Sequence, residues 1–141
     1  AIEGDAYDFI VLNFANTDMV GHTGKLESVI KGVEAVDKGL GEIANQVLAR
    51  DGVMFITADH GNAEDSINLQ TGNINKEHTT NPVPLFVIAN KYAGMAGPSG
   101  DAPNGDLSLL PTVGMLADVA PTILKHMEVD RPPEMTGRPL M

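Results

Sequence analysis

The chain has 141 residues, of which 43% are hydrophobic, with no cysteine and a formal net charge of −10 at pH 7. This length suits one domain that buries roughly two-thirds of its unfolded surface. The lack of cysteine excludes disulfides and thiolate metal sites and fits a reducing, cytoplasmic location. The acidic charge argues against nucleic acid as a partner, because that binding depends on Lys and Arg. No apolar stretch approaches the roughly 20 residues of a membrane helix, so we expect no membrane partner.

The first predicted element is a strand over residues 8–14, which is apolar on both faces as a buried parallel strand would be. Thr23 is the predicted N-cap of a helix that continues to about Ala49, because apolar residues then recur at helical spacing. A second strand follows at 53–56. Strand, helix and strand together predict a βαβ unit with a right-handed crossover. Three glycines inside the helix are interpreted as points of close packing on the sheet: Gly32, Gly39 and Gly41.

A polar loop is predicted over residues 63–81, and an unstructured connection of that length is usually functional. A third strand follows at 84–89, and the reach of the loop leaves its direction open. Residues 92–111 are rich in Gly and Pro and predict an irregular surface excursion.

The last predicted helix covers residues 116–127, with Asp118 as its N-cap and Pro121 in its first turn. Residues 129–141 then form an extended docking segment.

These elements predict an α/β fold, a three-layer sandwich in which helices cover both faces of a mostly parallel sheet. The sandwich is incomplete, because two clear helices cannot cover three strands that are buried on both faces. We therefore expect the chain to be the C-terminal part of something larger.

Candidate metal ligands lie in the segments next to these strands. Asp59 and His60 directly follow the second strand, where ligands gather in open α/β sheets. Asp18 and His22 follow the first strand; they either share one helical face or converge from a folded loop. His78 lies in the polar loop before the third strand.

The chemistry of these side chains favours a two-metal site. Asp18, His22 and His78 offer one oxygen and two imidazole nitrogens, a set that suits Mn, Fe, Co or Zn better than Ca or Mg. Asp59 and His60 would hold a second cation. Each dication with one carboxylate and neutral imidazoles leaves a local charge of about +1, so a phosphate could bind to an acidic chain. The fourth histidine, His126, is interpreted as a surface or partly buried helix residue without a functional role.

Five segments resemble cofactor-independent (2,3-bisphosphoglycerate-independent) phosphoglycerate mutase, of the alkaline phosphatase superfamily. The resemblance runs in order through residues 13–24 (Asn-Phe-Ala-Asn-Thr-Asp-Met-Val-Gly-His-Thr-Gly), 57–62 (Thr-Ala-Asp-His-Gly-Asn), 78–84, 116–124 and 135–140. It covers nearly the whole chain and implies an alkaline phosphatase-like fold.

By that resemblance, Asp18, His22 and His78 match the ligands of one metal ion, and Asp59 and His60 match two ligands of the other. Mn²⁺ is the preferred metal, with Mg²⁺, Co²⁺ and Zn²⁺ as alternatives. The family interconverts 3-phosphoglycerate and 2-phosphoglycerate in glycolysis and gluconeogenesis through a phosphoserine intermediate, and its full-length members are expected to be monomers.

The resemblance also implies that parts of the enzyme lie outside this chain. The nucleophilic Ser, a further Asp ligand and the transferase domain that grips the glycerate have no counterpart in residues 1–141. The four serines of the chain lie in other contexts: Ser28, Ser66, Ser99 and Ser108. We expect the C-terminal portion of the phosphatase domain, which is inactive until the N-terminal remainder is supplied.

Two other functions stay open at this point. One is a metal-dependent phosphatase or phosphodiesterase of the same superfamily. The other is a non-catalytic metal-binding module, or a subunit that completes its site with another chain.

Overall fold

A computed structural model describes residues 1–4, 6–68 and 70–141. Asp5, in the polar lead-in, and Leu69, in the predicted loop 63–81, lie outside the described residues. The chain divides into two compact units, residues 1–91 and 92–141. The helices are α1 (Asn16–Gly21), α2 (Leu26–Leu48) and α3 (Val119–His126), and the strands are β1 (Met54–Thr57) and β2 (Leu85–Ile88). None of the described helices is long and apolar enough to span a membrane.

Helix α2 confirms the predicted helix, with a different start. Its N-cap is Lys25, and Thr23 instead donates its hydroxyl to the Val20 carbonyl at 2.5 Å, at the end of α1. The prediction of Thr23 as N-cap was therefore wrong, because that hydroxyl closes the preceding helix. Val29 is buried at 4% exposure, whereas three apolar residues of the predicted stripe stay exposed: Leu26, Ile30 and Val33.

Two of the three glycines in α2 are points of close packing, although their neighbours are not the sheet. A Cβ at Gly32 would lie 2.8 Å from the Val20 side chain of α1, and one at Gly39 would lie 3.1 Å from the Phe14 ring. Gly41 has no such neighbour within 4 Å among the residues that the structure describes. Gly32 and Gly39 therefore allow α1 and the segment before it to pack closely against α2.

The predicted strand at 8–14 is absent from the structure, which describes all seven of these residues. The segment is exposed over its apolar run, including Val11 at 78% and Leu12 at 61%. A strand needs a partner for its N–H and C=O groups, and β1 pairs with β2 instead. The predicted βαβ unit is consequently not formed within the described residues.

Strands β1 and β2 run antiparallel, with Met54 opposite Ile88 and Thr57 opposite Leu85. This pairing settles the direction of the third predicted strand, which the sequence left open, and both strands lie close to where the sequence placed them. This small α/β arrangement has too few strands to test the three-layer sandwich. The antiparallel pairing brings the loop that leaves β1 and the loop that enters β2 to the same end of the sheet.

The second unit contains the remaining predicted elements, with a different start to its helix. Residues 92–111 are irregular, with short 3₁₀ turns. The predicted helix at 116–127 forms as a 3₁₀ turn (Leu116–Asp118) followed by α3, with Pro121 fully buried in the first turn of α3. Asp118 occupies the N-cap position of α3, but its side chain makes no cap hydrogen bond there. The C-terminal segment docks on this helix start, because the Arg138 N–H donates to Asp118 Oδ1 at 2.8 Å and the Leu140 N–H donates to Thr122 Oγ1 at 3.1 Å.

Candidate metal centre

Helix α1 carries the first two candidate ligands on one face. Asp18 lies in its first turn and His22 is its C-cap, in helical conformation. Asp18 Oδ1 lies 3.2 Å from His22 Nε2, as the four-residue spacing on a helix allows. Of the two arrangements that the sequence left open, the shared helical face is the one that forms. Gly21, between them, is buried, and a Cβ there would collide with the Asn62 side chain.

His78 joins Asp18 and His22 from the loop that precedes β2. Its Nε2 lies 3.1 Å from Asp18 Oδ1 and 3.2 Å from His22 Nε2. Two ligands that each lie about 2.0–2.2 Å from one metal ion are about 2.8–3.6 Å apart at octahedral or tetrahedral angles. The three donor atoms thus have the mutual separations of ligands that share an ion.

The tautomer of His22 supports the same interpretation. Its Nδ1 lies 2.7 Å from the Lys76 carbonyl oxygen, which only accepts, so Nδ1 carries the proton. In the neutral ring the Nε2 lone pair then faces the Asp18 carboxylate, a repulsive contact unless a proton or cation lies between them. A backbone carbonyl on the second nitrogen is also the usual support of a metal-binding histidine.

His60 lies beside this triad, on the loop that leaves β1. Its ring stacks on that of His78 with centroids 3.6 Å apart, and its Nε2 is 4.0 Å from Asp18 Oδ1 and 3.6 Å from Asp59 Oδ1. Donor atoms of Asp18, His60 and His78 all lie within 4.8 Å of one another. Asp59 is on the outer side, with its side chain 86% exposed. The structure thus gathers all five predicted residues, and their roles as ligands stay a prediction.

Glu64 connects the loops that carry His60 and His78, and no role was predicted for it. Its Oε2 accepts the Asn62 N–H at 2.7 Å, and its Oε1 accepts the Thr79 hydroxyl and the Asn81 side-chain N–H. Partial burial raises the pKa of Glu64, but these hydrogen bonds together hold it below its ordinary value. A local signal exists for one of these three hydrogen bonds, because an acid in the first turn commonly reaches back to the N-cap N–H. The partners 15 and 17 residues away leave no local signal.

His126 lies in the second unit and is partly buried, as predicted. Its Nδ1 donates to the Thr122 carbonyl at 3.0 Å, and its Nε2 lies 2.7 Å from the Tyr92 hydroxyl. Both ring nitrogens have protein partners, which is typical of a structural histidine.

Comparison with known proteins identifies the class to which the chain belongs. The profile of the Metalloenzyme superfamily matches residues 1–131, and the chain belongs to this superfamily. This assignment agrees with a site built for divalent metal ions.

The similar proteins within that class are 2,3-bisphosphoglycerate-independent phosphoglycerate mutases, as the sequence motifs indicated. The chain is 49% identical to that of Vesicomyosocius okutanii over 99% of its own length and 25% of the relative's. It is 50% identical to that of Chloroflexus aurantiacus over 100% of its length and 24% of the relative's. A phosphoglycerate mutase structure from Leishmania mexicana has a TM-score of 0.72 and 32% identity over 97% of this chain and 25% of that one. The chain therefore spans about a quarter of the length of these relatives.

Proposed function

We propose that this chain is part of a phosphoglycerate mutase, in which it supplies five ligands of a two-metal site. Asp18, His22 and His78 hold one divalent ion, and Asp59 and His60 hold part of the shell of the other. Mn²⁺ is the preferred ion, with Co²⁺, Zn²⁺ and Mg²⁺ as alternatives. The Leishmania mexicana phosphoglycerate mutase was crystallised at low cobalt concentration, which agrees with a transition metal as the ion. Because the similar proteins are mutases, the mutase reading is favoured over the phosphatase and the non-catalytic module.

One observation carries this proposal: Asp18 Oδ1, His22 Nε2 and His78 Nε2 lie 3.1–3.2 Å from one another. Two imidazole nitrogens and one carboxylate oxygen form a donor set that suits first-row transition metals. The bond from His22 Nδ1 to the Lys76 carbonyl presents the lone pair of Nε2 to the centre of the triangle.

The residues of the chain hold the metal ions and orient the ligand atoms, and the metal ions supply the positive charge that attracts the phosphate. When bound, the ions polarise a phosphoryl group and lower the pKa of an attacking hydroxyl. Asp18 contributes one negative charge to its ion and the histidines none, so the local charge stays positive in a chain of net charge −10. The substrates are 3-phosphoglycerate and 2-phosphoglycerate, and the phosphoryl group passes through a Ser outside residues 1–141. Splitting one transfer into two easier steps is covalent catalysis.

The same proposal accounts for apolar surface in the first unit. Phe9 is 51% exposed and Val11 78%, and Ile30 and Val33 of α2 are 48% and 45% exposed. We propose that the rest of the phosphatase domain covers these side chains, completes the sheet and thereby forms the three-layer sandwich. A cytoplasmic monomer that acts in glycolysis is the expected whole enzyme, and the isolated chain is expected to be inactive.

The test is titration of the 141-residue chain with Mn²⁺, Co²⁺ and Mg²⁺. Calorimetry measures the binding of each ion, and visible absorption reports on the ligands of bound Co²⁺. We expect Mn²⁺ and Co²⁺ to bind and Mg²⁺ to bind more weakly, and we expect the bound Co²⁺ to show ligand-field bands typical of mixed nitrogen and oxygen ligands. A chain that binds none of these ions would contradict the proposal. A mutase assay should then show turnover only when the N-terminal remainder is added, and activity of the chain alone would show that the nucleophile is misassigned.

A further inference from the structure

Two loops bring the imidazoles of the proposed metal site together, and they are far apart in sequence. The His60 loop, residues 58–62, leaves β1; the His78 loop, residues 77–81, enters β2. The four-residue ladder of β1 and β2 ends at Thr57 and Leu85, before either histidine. Something beyond the sheet must therefore hold the two loops in register.

The direct backbone connection between the loops is small. The Thr79 N–H donates to the Gly61 carbonyl at 2.8 Å, which forms an isolated bridge. The Asn62 side chain adds a longer contact, 3.5 Å from its Nδ2 to the Glu77 carbonyl. One short bridge and one long contact are weak restraints for two loops, because a single hydrogen bond contributes only about 0.5–1.5 kcal/mol net.

Glu64 supplies the larger connection. One carboxylate oxygen accepts from the backbone of the His60 loop, at Asn62, and the other accepts from two side chains of the His78 loop, Thr79 and Asn81. Three donors converge on a group that only accepts when ionised, so a carboxylate fits this position better than an amide. The lowered pKa of Glu64 agrees with an ionised carboxylate that these donors stabilise.

Gly61 shows how tightly Glu64 draws the loops together. A Cβ at Gly61 would lie 2.2 Å from Glu64 Oε1 and 2.2 Å from Thr79 Oγ1. The backbone of the His60 loop thus passes directly beside the hydrogen bond from Thr79 to Glu64, with no room for a side chain.

We propose that Glu64 is a positioning residue, which clamps the His60 loop to the His78 loop and so sets the separation of their imidazoles. Its contacts end two residues from His60, at Asn62, and one residue from His78, at Thr79. That Glu64 positions metal ligands rests on the proposed function. The contact between the two loops does not, because it is a property of the metal-free chain. The 3.6 Å stacking of the His60 and His78 rings is the geometry that it maintains.

The first experiment needs no metal. In the metal-free 141-residue chain, hydrogen exchange of the Thr79 amide reports on the bridge between the loops, because this N–H is bonded to Gly61 and not to Glu64. We expect Glu64→Ala to accelerate this exchange about tenfold, as the loss of roughly 1.4 kcal/mol of restraint would do. Glu64→Gln keeps one carbonyl oxygen and should give an intermediate rate.

The matched control is Asp65→Asn. Asp65 follows Glu64 in the same turn, and its carboxylate accepts from the Asn75 side chain at 3.3 Å, outside the His78 loop. We expect this control to leave the Thr79 amide unchanged. An unchanged Thr79 amide in Glu64→Ala, or equal acceleration in the control, would overturn the inference. If Glu64→Ala fails to fold, which loss of amide protection in α2 would reveal, the comparison of Glu64→Gln with Asp65→Asn decides.

The second experiment measures Co²⁺ binding to the same variants. We expect Glu64→Ala to lower the affinity about tenfold or more and to change the Co²⁺ absorption bands, as loss of outer support does for metal ligands. Wild-type affinity and bands in Glu64→Ala would overturn the positioning role. If the wild-type chain binds no Co²⁺, the proposed function fails, while the Thr79 amide still confirms or refutes the clamp.

Discussion

His22 and His126 have the same kind of partner at Nδ1 and different partners at Nε2. Each directs Nδ1 to a backbone carbonyl, 2.7 Å from Lys76 in one case and 3.0 Å from Thr122 in the other. In His126 the opposite nitrogen meets the Tyr92 hydroxyl, whereas in His22 it meets a carboxylate oxygen and another imidazole. A hydroxyl completes a hydrogen-bond network, while lone pairs that face one another repel unless a proton or a metal ion lies between them. The partner of Nε2 thus distinguishes a structural histidine from a candidate ligand.

The carboxylates Glu64 and Asp118 show the same contrast between the units. Both collect hydrogen bonds from segments distant in sequence. Asp118 is buried at 5% exposure and accepts the N–H groups of Met115 and Arg138. It joins a helix start to the C-terminal segment. Glu64 is exposed and joins two loops that carry candidate ligands. A carboxylate that accepts several hydrogen bonds therefore stabilises packing in the second unit and connects the loops of the candidate site in the first.

The largest expected effect separates the two kinds of histidine. His78→Ala removes one corner of the triad, and we expect it to weaken Mn²⁺ or Co²⁺ binding by more than about a hundredfold, the upper end of the effect of losing an outer partner. His126→Ala should leave the metal affinity unchanged and lower the thermal stability of the chain. Calorimetric titration of both variants makes the comparison, and equal losses of affinity would refute the assignment of the ligands.

A smaller effect is expected at the glycines. Gly61→Ala places a methyl group against Glu64 and Thr79, and overpacking of this kind costs about 1–3 kcal/mol. Gly41→Ala adds the same methyl in α2, where no described residue outside the helix would lie within 4 Å of it, and should stabilise the helix by about 0.5–1 kcal/mol. The free energies of unfolding in urea should therefore change in opposite directions. A Gly61→Ala variant as stable as the wild type would mean that the two loops are not held closely.

The smallest effect concerns pH. Hydrogen bonds from Arg138 and Met115 hold the pKa of Asp118 below its ordinary 3.8, against the opposing effect of burial. A lowered pKa in the folded chain contributes stability above pH 3.8, and this contribution is lost as the pH falls through the folded-state pKa. Asp118→Asn should accordingly be less stable than the wild type at neutral pH.

Thermal unfolding of both proteins between about pH 7 and pH 2.5 tests this expectation, because acid protonates the wild-type carboxylate and should narrow the difference. Asp130→Asn, at an exposed position of the same unit, serves as the control. A difference between wild type and Asp118→Asn that stays constant down to the lowest pH would show that the charge of Asp118 does not contribute.

Several features of this chain followed from sequence alone. Helical periodicity predicted the helix that forms as α2, apart from its start, and the short apolar runs predicted β1 and β2, because these elements depend on local spacing. Residue chemistry singled out Asp18, His22 and His78, and the order of the motifs indicated the family to which the relatives belong.

Other features depended on contacts between distant residues. The run at 8–14 has the pattern of a strand, yet a strand forms only where another segment accepts its hydrogen bonds. The direction of β2 was open from sequence and was decided by pairing with β1, and that pairing brings His60 and His78 to one end of the sheet. Two of the three hydrogen-bond partners of Glu64 lie 15 and 17 residues along the chain. Local spacing determines which side chains are available, and only the tertiary fold determines which of them meet.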